Sequence, residues 1–196
     1  MNRKHFLLIF YFVMLALNAK GQFLDKVFGI KYHKGSVILN NGDTLRGKIM
    51  FNNDYTNYNT LIFRDTITNK NTNYKPREVK SFSLDSLIFY RKILNNQWVF
   101  ECLLLNGDLK VYLYRYYMST GYTSGTETSY IYEKSNGQYL MISTYITYPF
   151  KKRVSEFFSD YPELSEKIYN KTYKFNDLFL IAEEYNIWLK NKKSNK

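Results

Sequence analysis

Three Asn-Gly dipeptides constrain the fold of this chain most strongly. They occupy positions 41–42, 106–107 and 136–137, and each lies between apolar or alternating runs. Asn-Gly favours positive φ angles and closes tight hairpins between antiparallel strands. After the first dipeptide, residues 45–51 alternate between apolar and polar side chains, which is the period of a half-buried strand. The sequence therefore predicts an antiparallel sheet built from successive hairpins.

The predicted strands are rich in Tyr, Phe, Val and Ile. They run from Val37 to Leu39, Leu45 to Phe51, Leu61 to Ile67, Glu78 to Leu84, Ser86 to Leu94, Gln97 to Leu105, Asp108 to Met118, Ser129 to Glu133 and Gln138 to Thr147. The third and fourth are expected to pair through the Asn-rich stretch 69–73. Between Met118 and Ser129, Ser, Thr and Gly with one charged residue predict a long mobile loop.

After Pro149 the apolar period changes from two to that of a helix. Phe150, Val154, Phe157 and Phe158 form a stripe, and Pro162 is placed to open a second helix. A last helix has an apolar face from Leu178 to Leu189, with Asn176 as candidate N-cap. The predicted fold class is α+β: a predominantly antiparallel β meander of about eight to nine strands, followed by two to three C-terminal helices from about residue 150.

The first residues have the three regions of a secretory signal. Basic Arg3 and Lys4 precede the apolar run 6–17, and small residues follow. That run is shorter than the roughly 20 residues of a membrane span. A buried core helix is the alternative, but the run shows no polar residue at helical spacing. We expect residues 1–21 to be a cleaved signal peptide and residues 22–196 to be one β-rich domain with C-terminal helices, exported to the periplasm or the cell exterior.

The charge and the single cysteine narrow the classes of protein that fit. The chain carries a formal charge of +11, which falls to +8 without residues 1–21. In an exported protein this excess of positive charge favours binding to an anionic surface or an acidic partner. The Lys and Arg residues are scattered along the chain, however, which is also consistent with a role in solubility alone. Cys102 lies far from the predicted cleavage site, so no lipid anchor is expected, and it has no disulfide partner. We expect Cys102 to be a small buried hydrophobic residue.

The inventory of reactive residues argues against an enzyme. His33 is the one histidine after the signal, and no Gly-x-Ser-x-Gly elbow or metal-ligand spacing is present. A catalytic Cys102–His33 dyad is not expected, because Cys102 is predicted inside the core of a strand and His33 precedes the first predicted strand. The sequence is still compatible with a pair of carboxylates for glycoside hydrolysis, contributed by different strands. The candidates are Asp43, Asp54, Asp65, Asp85, Glu101 and Asp108. We predict no enzyme activity, no catalytic residue, no cofactor and no metal.

Tyrosine is the strongest compositional anomaly. The chain has 20 tyrosines, and 19% of its residues are aromatic. Aromatic rows with hydroxyl tips stack on sugars or anchor protein partners, but tyrosine also serves as an ordinary strand former. The candidate binding surface is formed by five tyrosines: Tyr112, Tyr114, Tyr116, Tyr122 and Tyr130.

Three stretches of the chain are distinctive: the opening 35–49, with Gly-Asp-Thr at 42–44 and Gly-x-Ile at 47–49, the stretch 74–82 and the ending 173–186. In these stretches the chain resembles a family of uncharacterised exported β-rich proteins of Bacteroidota. The resemblance implies a fold type and an envelope location. It implies no activity, ligand or catalytic residue.

Two hypotheses follow from the sequence. The first is a non-catalytic envelope module that binds a protein or an anionic surface through its basic surface and the Tyr112–Tyr132 region. The alternative is a soluble periplasmic or secreted binder of a small glycan or apolar ligand. Nucleic acid is not expected as a partner, because the basic residues form no single stripe. No transmembrane span is expected after signal cleavage.

Overall fold

The computed structural model describes residues 31–52, 55–143 and 150–194. Its ten strands are β1 (Lys31–Leu39), β2 (Thr44–Phe51), β3 (Leu61–Arg64), β4 (Asn71–Tyr74), β5 (Val79–Leu84), β6 (Leu87–Leu94), β7 (Gln97–Leu105), β8 (Leu109–Ser119), β9 (Ser124–Lys134) and β10 (Tyr139–Ser143). Three helices follow: α1 (Phe150–Phe157), α2 (Pro162–Tyr169) and α3 (Leu178–Ser194). The predicted fold class is therefore confirmed, with slightly more strands than expected. The predicted signal peptide lies outside the described residues.

All ten strands belong to one antiparallel sheet, in the order β10-β9-β8-β7-β6-β5-β1-β2-β3-β4. The three Asn-Gly dipeptides each close a hairpin, as predicted, between β1 and β2, β7 and β8, and β9 and β10. Gly42 and Gly137 have φ angles of 97° and 86°, which side-chain-bearing residues rarely adopt. The order departs from a strict meander at one point, because the chain passes from β4 at the edge to β5 beside β1.

Several predicted boundaries and one predicted pairing are wrong. The stretches 61–67 and 78–84 do not pair; β3 lies between β2 and β4, while β5 lies between β1 and β6. The predicted mobile loop after Met118 is mostly strand, because β8 and β9 remain paired as far as Ser119 and Ser124. Its Ser and Thr residues suit a polar, solvent-exposed hairpin, which has the same composition as a loop.

The sheet curls strongly, and a single aromatic contact demonstrates this. Tyr58 lies in a short 3-10 helix, Thr56–Tyr58, that follows β2. Its ring centroid is 5.9 Å from that of Tyr114 on β8. In the sheet order β1, β5, β6 and β7 all lie between β2 and β8, which would place the two strands about 24 Å apart in a flat sheet. The curvature brings the 3-10 helix against β3, β7 and β8.

Two apolar cores result from this arrangement. The first is enclosed by the curled sheet and includes the Phe82 and Phe89 rings, stacked with centroids 4.5 Å apart. The second joins β8, β9 and β10 to the helices through Leu109, Val111 and Tyr132. Among the helix residues in this second core are Val154, Phe158, Leu164, Ile168, Leu178, Ile181, Ala182 and Tyr185.

The helix predictions are confirmed in position but not in every cap. Pro162 opens α2, and the predicted apolar face of the last helix is buried in the second core. Asn176 is not an N-cap; it lies inside a 3-10 helix, Phe175–Asp177, that leads into α3. The Asp177 carboxylate instead accepts a hydrogen bond from the Lys174 N–H at 2.8 Å. No helix in the described part of the chain is long and apolar enough to cross a bilayer.

Candidate functional site

The most distinctive concave surface lies where β7 and β8 separate. Their last pair in that direction is Cys102 with Leu113, and beyond it β8 continues paired with β9. The space between the two strands is a groove of about 480 Å³. We call it the tyrosine groove; its lining residues are Tyr55, Asn59, Leu94, Asn95, Gln97, Tyr114, Tyr116, Tyr117 and Met141.

Four tyrosine rings shape the groove. Tyr114 and Tyr116 alternate along β8 and stack with ring centroids 5.7 Å apart. The Tyr55 ring, just before the 3-10 helix, lies 5.5 Å from the Tyr117 ring. Tyr114 is only 8% exposed and forms the buried end, whereas Tyr117 is 53% exposed. The groove therefore has both a fixed aromatic floor and accessible aromatic edges.

The polar groups of the groove are uncharged. Asn59, Asn95 and Gln97 contribute carboxamides, which each carry donors and acceptors. The β6–β7 turn positions Asn95, where Asn95 and Asn96 adopt φ angles of 48° and 63°. The Tyr116 hydroxyl lies 3.4 Å from the Ser143 hydroxyl on β10. Among the lining residues that the structure describes, none is Lys, Arg, Asp or Glu.

The five sequence-predicted tyrosines do not form one surface. Tyr114 and Tyr116 lie together in the groove, whereas Tyr122 is fully exposed in the turn between β8 and β9. Tyr112 is 2% exposed and Tyr130 packs against the Phe175 and Phe179 rings, with centroids 6.2 and 6.3 Å away. No local pattern predicts that Tyr55 and Asn59 belong to this site, because curvature of the sheet brings them to β8.

A polar cluster adjoins the inner end of the groove. Lys92 on β6 donates to both carboxylate oxygens of Glu133 on β9 at 2.6 and 2.7 Å. The same ammonium lies 4.7 Å from the centre of the Tyr112 ring. Glu101 on β7 is 4% exposed. Burial raises its pKa to about 7, against an opposing effect of Lys92.

Cys102 and His33, the two residues of the possible catalytic dyad, lie on strands that are not neighbours in the sheet. Cys102 is buried, and burial raises the pKa of its thiol to about 11, so it is a poor nucleophile at neutral pH. His33 hydrogen bonds Asp85 through Nδ1, and β5 and β6 separate its strand from that of Cys102. Within the described residues, no group of three or more His, Cys, Asp or Glu side chains is arranged to hold a metal ion.

Two other cavities have different linings. One of about 410 Å³ lies between the Asn106–Asp108 turn and the end of α3, beside Lys190 and Lys193. The other, of about 440 Å³, lies on the helices beside the Tyr161 and Trp188 rings, which stack with centroids 4.5 Å apart. Glu184 in that cavity already accepts hydrogen bonds from Lys167 and Tyr173. The tyrosine groove has more aromatic rings than either, together with three carboxamides, of which that of Asn59 donates to the Tyr55 carbonyl oxygen at 3.1 Å.

Comparison with known proteins identifies no relative, so the functional proposal rests on the geometry of the tyrosine groove. The chain matches no protein-family model. No curated protein and no solved structure matches it significantly.

Proposed function

We propose that this protein is a non-catalytic binding module whose tyrosine groove holds a small, uncharged glycan. The observation that carries the proposal is the lining itself, in which four tyrosines and three carboxamides surround about 480 Å³ and none of the described lining residues is charged. Binding sites for small ligands are typically of this size, with aromatic walls and a few polar groups that fix orientation.

The chemistry of the groove matches that of a sugar. The faces of a pyranose ring carry C–H groups that pack against aromatic rings, and tyrosine adds a hydroxyl that can hydrogen bond at the rim. Carboxamides of Asn59, Asn95 and Gln97 can donate to and accept from the hydroxyl groups of the same ligand. A neutral ligand suits this lining, because a charged ligand would lose its hydration without finding an ionic partner among the described lining residues.

Docking on an envelope protein or an anionic surface is the second candidate. The formal charge of +8 without residues 1–21 and the exposed lysines near the end of α3, among them Lys190 and Lys192, favour it. Several other lysines already form ion pairs, including Lys92 with Glu133 and Lys134 with Asp160. The excess charge therefore lies outside the groove, and this candidate concerns a different surface.

We further propose that the protein acts after export, with residues 1–21 removed. The arrangement of a basic start, an apolar run of about twelve residues and small residues at 19 and 21 supports this. A periplasmic or extracellular location would expose the groove to cell-surface and environmental glycans.

A glycan array tests the proposed function. The purified protein should bind a subset of neutral glycans, and Tyr116→Ala and Tyr117→Ala should each weaken binding by at least tenfold. Tyr139→Ala is the matched control, because Tyr139 is 57% exposed on β10 and does not line the groove. Absence of any bound glycan, or equal loss in the Tyr139 variant, would refute the proposal.

A further inference from the structure

Glu101 occupies the position on β7 that links the polar cluster to the tyrosine groove. The register places Glu101 directly opposite Tyr90 on β6. On its other side the last β7–β8 pair is Cys102 with Leu113, so Glu101 and Tyr114 are the next residues on the two strands as they separate. Tyr114 is the buried end of the groove.

The electrostatics agree with this proximity. Burial first, and the Glu101 carboxyl second, raise the pKa of the Tyr114 hydroxyl. Burial and a hydrogen bond with Glu133 raise the pKa of Tyr112, and Glu101 adds to that effect. The Glu101 carboxylate therefore interacts electrostatically with two tyrosines, Tyr112 and Tyr114, and Tyr114 lines the groove.

The groups that face Glu101 do not neutralise it fully. From β6 they are Lys92 and Tyr90, from β8 Tyr112 and Tyr114, and from β9 Glu133. Lys92, the one cation among these described residues, donates to both oxygens of Glu133. Glu133 also opposes ionisation of Glu101. Glu101 thus remains a buried carboxyl whose ionised form is poorly compensated.

We propose that Glu101 is a protonation switch for the tyrosine groove, and that its uncharged form holds ligand more tightly than its carboxylate form. The inference rests on the proposed function and adds its regulation. A ligand that covers Tyr114 displaces water from the end of the groove nearest Glu101. Loss of that water makes the carboxylate less favourable still, so ligand binding is linked to proton uptake. Affinity is then greater below neutral pH and falls as the pH rises.

Two measurements test the switch, one of them without ligand. In the first, NMR follows the assigned ring signals of Tyr114 and Tyr116 from pH 5.5 to 8.5. They should shift with a midpoint near 7 in the wild-type protein and in Glu183→Gln, an exposed control on α3. In Glu101→Gln, which keeps the shape but cannot ionise, the shift should disappear. Rings that do not titrate, or that titrate equally in Glu101→Gln, would overturn the proposal.

The second measurement is the affinity for a glycan bound on the array, at pH 5.5 and 8.5. If binding raises the pKa of Glu101 by one unit, wild-type affinity should fall about eightfold between these values. Affinity should be independent of pH in Glu101→Gln, and an unchanged pH dependence there would overturn the proposal. If no glycan binds while the rings titrate through Glu101, the glycan function fails and the coupling of Glu101 to the groove stands.

Discussion

Tyr58 packs edge to face on Tyr114, with an angle of 85° between the rings, although four strands separate β2 from β8 in the sheet. The contact brings the end of the first hairpin against the central strands. Tyr58 also packs on Phe89 of β6, at 5.6 Å. One side chain therefore joins the curled sheet to the floor of the tyrosine groove.

Tyr58→Ala should destabilise the protein by about 3 to 5 kcal/mol, the usual effect of removing a fully buried aromatic ring. Tyr58 is 2% exposed, so the space left cannot be filled by water without exposing apolar groups. Tyr58→Phe keeps the ring and should stay within about 1 kcal/mol of wild type. Urea denaturation measures both. Equal stability of the Ala and wild-type proteins would contradict the inferred role of the ring in closing the sheet.

Gly47→Ala should be destabilising by about 1 to 3 kcal/mol, because a methyl group has no space there. An added Cβ would lie 2.5 Å from the Arg64 carbonyl oxygen and 2.5 Å from the Phe63 ring. The carbonyl belongs to the neighbouring strand and cannot rotate away. Gly125→Ala on β9 is the control, since a Cβ there meets nothing within 4 Å. Thermal unfolding should separate the two variants clearly.

The same glycine shows which features could be predicted from sequence. The alternation around Gly47 and the adjacent Asn41-Gly42 turn are local signals, and they correctly predicted the first hairpin. The contact of Gly47 with β3 depends on which strands become neighbours. Val37 pairs with Phe82 across β1 and β5, a choice that no local pattern encodes. This non-local pairing is why the predicted pairing of 61–67 with 78–84 was wrong.

The candidate site was predictable only in part for the same reason. The alternation of Tyr114 and Tyr116 along β8 was visible in the sequence, and both line the groove. Tyr112 shares their alternation but is covered, because the Lys92 ammonium from β6 lies over its ring and its hydroxyl hydrogen bonds Glu133 on β9. Tyr55 enters the groove through curvature of the whole sheet, which depends on packing between distant residues.

The stability of the protein should decrease from about pH 4.5 to about pH 7 through Glu101. Its pKa is raised from 4.5 to about 7 in the folded state, so the folded state binds the proton more tightly. The stabilisation is fully present below the unfolded pKa and is lost as the pH rises through the folded pKa. The difference corresponds to roughly 3 kcal/mol.

Glu101→Gln isolates this contribution from that of other carboxyl groups. The variant should match the wild type in urea denaturation at pH 4 and be more stable at pH 8, by up to roughly 3 kcal/mol. Glu183→Gln, the exposed control, should show no such divergence. Parallel pH profiles for wild type and Glu101→Gln would show that Glu101 titrates normally in the folded protein.

Asn186→Ala should weaken the attachment of α3 to the sheet by about 2 kcal/mol. The Asn186 carboxamide accepts from the Leu109 N–H at 2.7 Å and donates to the Leu109 carbonyl at 3.0 Å, so it replaces a strand partner at the start of β8. Asn191→Ala on the same helix is the control for helix propensity. Hydrogen exchange should show faster exchange of the Leu109 amide only in the Asn186 variant.

Export should remove residues 1–21 and leave Gln22 at the N-terminus. For a cut after Gly21, the small residues Ala19 and Gly21 would stand at the −3 and −1 positions that signal peptidase reads. Intact mass of the protein from a secreting host measures the cut directly. Ala19→Glu places a charged side chain at the −3 position and should block cleavage, whereas Asn18→Glu, one residue earlier, should be cleaved normally. A full-length chain in the wild type would contradict export by this route and would turn the search for the ligand to molecules inside the cell.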